Sequence, residues 1–152
     1  MPIFSRRGTF AALLFSVFCL VATTTVAEVK RCEFVKTEEQ LGWISQEIMV
    51  DFQDGEEEAY IGDPIARDLL GKDVVLARVD VDNAKRTTLV WEIKDTRKSK
   101  NQNARFLYRL TLMKNSNKAR ITVQPLGYIG PFQGAGVCTI YKGKNPRWLP
   151  RA

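Results

Sequence analysis

The sequence predicts an all-β fold: a small antiparallel up-and-down barrel of about seven or eight strands with one short helix and one disulfide, the alternative being a two-sheet sandwich. Three observations carry this. Side chains alternate apolar and polar with period two through most of the chain after residue 28. Short turn signals separate the alternating runs. The third observation is a pair of cysteines, Cys32 and Cys138, placed at opposite ends of this alternating region.

The runs follow in order. "KRCEFVK" (30–36), "QEIMVDFQ" (46–53) and a weak "EAYIG" (58–62) precede the only clear helix signal. That helix reads from "DPIARDLLG", with Asp63 as N-cap, Pro64 at the first helical position and Gly71 just past the end. A further turn of helix is expected in "TEEQLGWIS" behind the Thr37…Gln40 capping pattern, weakened by Gly42.

"VVLARVDVD" (74–82) places Val75, Ala77, Val79 and Val81 on one face and Arg78, Asp80 and Asp82 on the other. "TTLVWEIK" (87–94) groups Leu89, Trp91 and Ile93 inward, and "ARFLYRLTLMK" (104–114) groups Phe106, Tyr108, Leu110 and Leu112. "ARITVQ" (119–124) and "GVCTIYK" (136–142) complete the set. The glycines and prolines of "PLGYIGPFQGAG" (125–136) read as an irregular bend before the last strand, because no phosphate-loop lysine and no helix pattern follow them. Asp54-Gly55, "DNAKR" (82–86) and "NSN" (115–117) are tight-turn signals.

Ahead of this domain, Arg6 and Arg7 precede an apolar run from Phe10 to Ala22 and then small residues to Ala27. This is the pattern of a secretory signal peptide over 1–27, with ordinary unfolded export and a periplasmic or secreted location expected. The apolar core is too short for a membrane span, so no stable span is expected once the leader is removed. Residues 28–152 then form one β domain with a basic C-terminal tail. Removing Arg6 and Arg7 from the 23 basic residues leaves 21 against 17 acidic ones, a net charge of about +4.

Cys19 falls in the leader, so Cys32 and Cys138 are an even pair in a compartment where disulfides persist. Neither lies in a C-x-x-C motif. Their bond requires the first and last strands to be neighbours. Both thiols are expected to face inward, Cys32 with Phe34 and Cys138 with Ile140.

Several chemistries are excluded. The chain has no histidine, which removes the commonest general base and metal ligand. Ser45, Ser99 and Ser116, the serines after the leader, are not in nucleophile-elbow settings. No metal or cofactor is expected. The acidic stretch from Asp51 to Asp63 does not follow the EF-hand register, and the glutamates at its centre read as a solvated turn.

Charge is segregated. Seven acids and one base lie between Asp51 and Asp68, while residues 94–105 hold five bases and one acid, Asp95. The expected function is a non-enzymatic binding or inhibitor module that contacts an anionic partner, either an envelope component or an acidic protein. The contact residues would be Lys94, Arg97, Lys98, Lys100 and Arg105 of the basic loop, with Lys144, Arg147 and Trp148 of the tail. Nucleic acid is not an expected partner. Two alternatives are a carrier holding a small apolar ligand among Trp43, Trp91, Phe106 and Tyr108, and a hydrolase using Asp51, Asp54 or Glu57. The expected shape is similar to that of small periplasmic barrels such as lysozyme inhibitors and lipocalin-like proteins, a likeness of fold alone.

Overall fold

Eight antiparallel strands close on themselves in chain order in a computed structural model that describes residues 28–35, 37, 42–95 and 104–144. The barrel, not the sandwich, is the architecture. The strands are β1 (Glu28–Phe34), β2 (Glu47–Phe52), β3 (Glu58–Gly62), β4 (Val75–Asp82), β5 (Arg86–Lys94), β6 (Arg105–Met113), β7 (Lys118–Pro125) and β8 (Phe132–Ile140). One helix, α1 (Pro64–Leu70), lies between β3 and β4. The leader over 1–27 and residues 38–41 of the second helical signal lie outside the described residues.

Up-and-down order gives the barrel two unlike ends. The β3–β4 connection with α1 and the β5–β6 and β7–β8 connections share one, the helix end. The tight β2–β3, β4–β5 and β6–β7 turns share the other, the hairpin end, where β1 begins and β8 finishes.

The helix forms for the reasons its sequence gives. Asp63 has an extended backbone and its carboxylate accepts from Ile65 N–H at 3.0 Å, while Gly71 adopts the left-handed conformation that ends the helix. Its buried residues, Ala66 and Leu69, join the barrel core beside β5.

The disulfide ties β1 to β8. Cys32 and Cys138 are direct partners in the ladder, with Cα atoms 3.9 Å apart and a sequence separation of 106. Cys32, Phe34 and Cys138 face the core as expected, but Ile140, although still paired with Lys30 of β1, is exposed, because β8 has there run past Lys118, the first residue of β7.

Two further expectations are corrected. The last strand begins at Phe132, not at 136, so Gly134 joins Gly136 within it. At Gly136 a Cβ would lie 2.3 Å from the Glu33 carbonyl oxygen and 2.6 Å from the Phe34 ring, so a strand that looks broken by glycine is the one that lets β8 close on β1. In β4 the register slips between Val79 and Val81, leaving Asp80 as the extra residue of a bulge. Val81 therefore shares the outer face with Thr88, and Asp82 shares the inner face with Thr87, the reverse of the simple alternation.

Candidate functional site

The interior at the helix end holds a polar cluster inside an aromatic frame. Trp91 stacks on Tyr108 at 5.2 Å, and Trp43 stacks on Phe106 at 4.2 Å. The Tyr108 hydroxyl donates to the Trp43 carbonyl oxygen at 3.1 Å, which anchors the β1–β2 connection across the barrel mouth. Burial, with Asp63 charge nearby, pushes the phenol far up, so it stays protonated.

Asp63 lies at the base of α1 and is itself buried. Desolvation raises its pKa above the usual carboxylate value. This outweighs the hydrogen bonds from the Ser45 hydroxyl and from the Ile65 and Ala66 amides. The Trp91 indole N–H adds a weaker pull toward the charged form without reaching hydrogen-bond geometry. These groups lock the β1–β2 connection, α1 and β5 together. The four rings expected to line a ligand cavity pack against one another in this frame.

The basic residues expected to make contacts are divided between the two ends. Lys94 and Arg105 face each other on the last rung of β5 and β6, at the helix end. Two like charges directly opposite would repel. Glu92 relieves them by taking Arg105 in a bidentate pair at 2.7 and 2.9 Å, an arrangement that holds Glu92 below its ordinary pKa and raises that of Arg105. Lys144 is exposed and lies beyond β8, at the hairpin end. Arg97, Lys98, Lys100, Arg147 and Trp148 lie outside the described residues.

Beside Lys94 and Arg105 stands a feature that the sequence reading missed. The β7–β8 connection carries Tyr128, 64% exposed, and Ile129, fully exposed at 106%. Gly127 and Gly130 flank them with φ of 90° each, and the Leu126 amide donates to the Arg105 carbonyl at 2.8 Å, fixing the tip to the basic rung. The Gln124 side-chain amide braces the same turn by donating to the Pro125 and Tyr128 carbonyls. The signal was legible in "PLGYIGP": a turn this rich in glycine and proline is ordinarily polar, and two large apolar residues at its centre have no core to serve.

The acidic residues proposed for hydrolysis are dispersed. Asp51 is buried on the outer face of β2 between its ladder neighbours Val29 and Tyr60, where Met49 and Tyr141 add apolar cover. Asp54 pairs with Lys114 at 3.1 Å across the hairpin end, and Glu57 is exposed on the β2–β3 turn. Among the described residues, no group of three or more Cys, Asp or Glu side chains could hold a metal ion, and no helix is long and apolar enough to cross a membrane. Both cysteines of the domain are in the disulfide.

The described residues form one closed β-barrel with an exposed apolar turn at one end. No protein-family model matches the chain, and no curated protein or solved structure matches it either.

Proposed function

We propose that the protein is an exported, non-enzymatic binding module that contacts an anionic envelope component or acidic protein through the helix end of its barrel. The observation that carries this reading is the fully exposed Ile129, with Tyr128, held against the basic rung of Lys94 and Arg105. Arg97, Lys98 and Lys100 belong to the connection that springs from that rung. Export rests on the leader pattern of residues 1–27, and the disulfide is compatible with it.

The two parts of this surface do different work. Clustered cations draw an anionic partner in and orient it, an effect that salt screens. An isoleucine covered on contact adds about 1.5–3 kcal/mol, enough to hold what the charges attract. A braced turn carrying the apolar pair loses little freedom on binding.

A photo-crosslinking residue at position 129, with a control at Arg78 on the barrel wall, tests this in the intact envelope. Capture through position 129 is expected, and it should fall at high salt and when Arg97, Lys98 and Lys100 are changed to Ser. Equal yields at both positions, or capture indifferent to the serine changes, would overturn the reading.

A further inference from the structure

A second surface lies on the outer wall of the barrel, running from the hairpin ends of β5, β6 and β7 across β8 to the residue that follows β1. Ladder register assembles it from four strands, β5 to β8, and from Val35 just past the end of β1. One row runs from Arg86 to Met113 across β5 and β6, and from Lys118 to Val137 across β7 and β8. The next row runs Thr111, Arg120 and Ala135, and ends at Val35, whose amide donates to the Ala135 carbonyl at 3.2 Å. Together these residues line a concave depression of about 730 Å³.

The depression is divided. Its β5–β7 half carries Arg86, Lys118 and Arg120, whereas its β8–β1 half carries Ala135, Val137 and Val35, with Val35 68% exposed. Among the described residues, no acidic one lines it. Glu33, the ladder partner of Val137, is already engaged by Arg31 at 2.9 Å.

The cations here differ from those elsewhere on the barrel. Arg78, Arg105, Arg109 and Lys114 each close on a carboxylate at 3.1 Å or less. Arg86, Lys118 and Arg120 have no carboxylate partner among the described residues. Three uncompensated cations around one apolar depression invite an external anion with an apolar part.

We propose that this outer-wall groove binds one molecule of a single-chain anionic amphiphile. Its phosphate or carboxylate head lies on Lys118, Arg120 and Arg86, and its hydrocarbon chain lies over Ala135, Val137 and Val35. Two strand spacings separate Arg120 from Val35, about 10 Å, which suits a medium-length alkyl chain laid across the strands. Charge and apolar surface lie side by side, as head and tail do in one small molecule. A peptide would have no strand edge to extend, because the barrel is closed. The surface is also concave, which fits a single chain better than a flat bilayer.

Octyl phosphate is the probe, with octyl glucoside and inorganic phosphate as the tail-only and head-only controls, all titrated below micelle formation. On the unaltered protein, NMR shift mapping should place octyl phosphate at the amides of Lys118–Arg120 and Ala135–Val137. Each control should bind roughly tenfold or more weakly, the loss expected when a charge-assisted contact or the apolar cover is missing. Lys118→Glu with Arg120→Glu, and separately Val137→Asp, should each weaken octyl phosphate by roughly tenfold or more, while Ile129→Asp leaves it unchanged. All of these positions are exposed, and melting curves confirm that the variants fold. Equal affinity for octyl glucoside, shifts mapping elsewhere, or binding only to anionic vesicles would overturn the proposal. Because the helix-end reading is probed at position 129, either can fail without the other.

Discussion

The ammonium of Lys114 lies 2.8 Å from the carboxylate of Asp82, a contact that exists because the β4 bulge turns Asp82 to the inner face. Lys114 also reaches Asp54 at 3.1 Å, so one side chain joins three turns across the hairpin end. Partial burial of Asp82 favours its neutral form, but hydrogen bonds from Lys114 and Thr87 and the Lys114 charge outweigh it and hold its pKa below the ordinary value. Hydrogen bonding to Asp82 raises Lys114 in turn.

These shifts set opposite pH edges. A depressed carboxyl contributes stability above the ordinary carboxylate range and loses it as pH falls through the native value. A raised lysine contributes below its ordinary value of 10.5 and loses it as pH rises through the native one. Lys114→Met should therefore cost about 1 kcal/mol near neutral pH, less at high salt, and almost nothing in acid. Urea midpoints of the two proteins across pH measure this. A difference that persists unchanged into acid would rule out the charge contribution.

Asp63 works in the other direction. Its raised pKa means the native state holds a proton that the unfolded chain gives up more readily. Stability from this group is complete below the ordinary carboxylate range and declines as pH rises through the native value. Asp63→Asn keeps a good N-cap and cannot titrate. Relative to the parent, its unfolding free energy should improve steadily as pH climbs from about 3.8 toward neutrality. A pH-independent difference between the two proteins would sink the assignment.

Gly136 should not tolerate a side chain. The added methyl of Gly136→Ala meets backbone at the Glu33 carbonyl, not the free end of a flexible side chain, so the strands must part to admit it. A loss of about 1–3 kcal/mol is expected, the usual range for overpacking, read from the denaturant midpoint. A midpoint unchanged within error would show that β1 and β8 are not so close.

Replacing Cys32 and Cys138 with serine removes a constraint on a loop of over a hundred residues. Chain-entropy reasoning puts the loss at about 4–5 kcal/mol, a large fraction of the roughly 5–15 kcal/mol typical of a domain. Non-reducing alkylation followed by intact mass should find no modified sulfur on the parent's mature domain. Two modified sulfurs would refute the tie between the outermost strands.

Tyr108→Phe leaves the Trp43 carbonyl without its donor. A loss of about 1 kcal/mol is expected, with a shift in tryptophan emission as the β1–β2 connection loosens. If neither changes, the hydroxyl does not anchor that connection.

Much of the architecture was written locally. Asp63, Pro64 and Gly71 specify the start and stop of α1 because capping and left-handed φ depend on a few adjacent atoms. Alternation in β5, β6 and β7 declares an inner face because successive side chains of a strand point opposite ways, and the even cysteine pair announced which strands must meet. Pairing between distant segments decided the rest. The extra residue at Asp80 is visible only against β5, and it reverses the facing of Val81 and Asp82. Gly136 reads as part of a bend until Phe34, its ladder partner on β1, and the Glu33 carbonyl stand against it. The apolar tip gained meaning when the Leu126 amide tied it to Arg105, and the divided groove draws on four strands and on Val35 beyond β1, residues far apart in the chain. Periodicity within one strand encodes which way its side chains point, whereas neighbours across strands depend on a register that the closed ladder alone establishes.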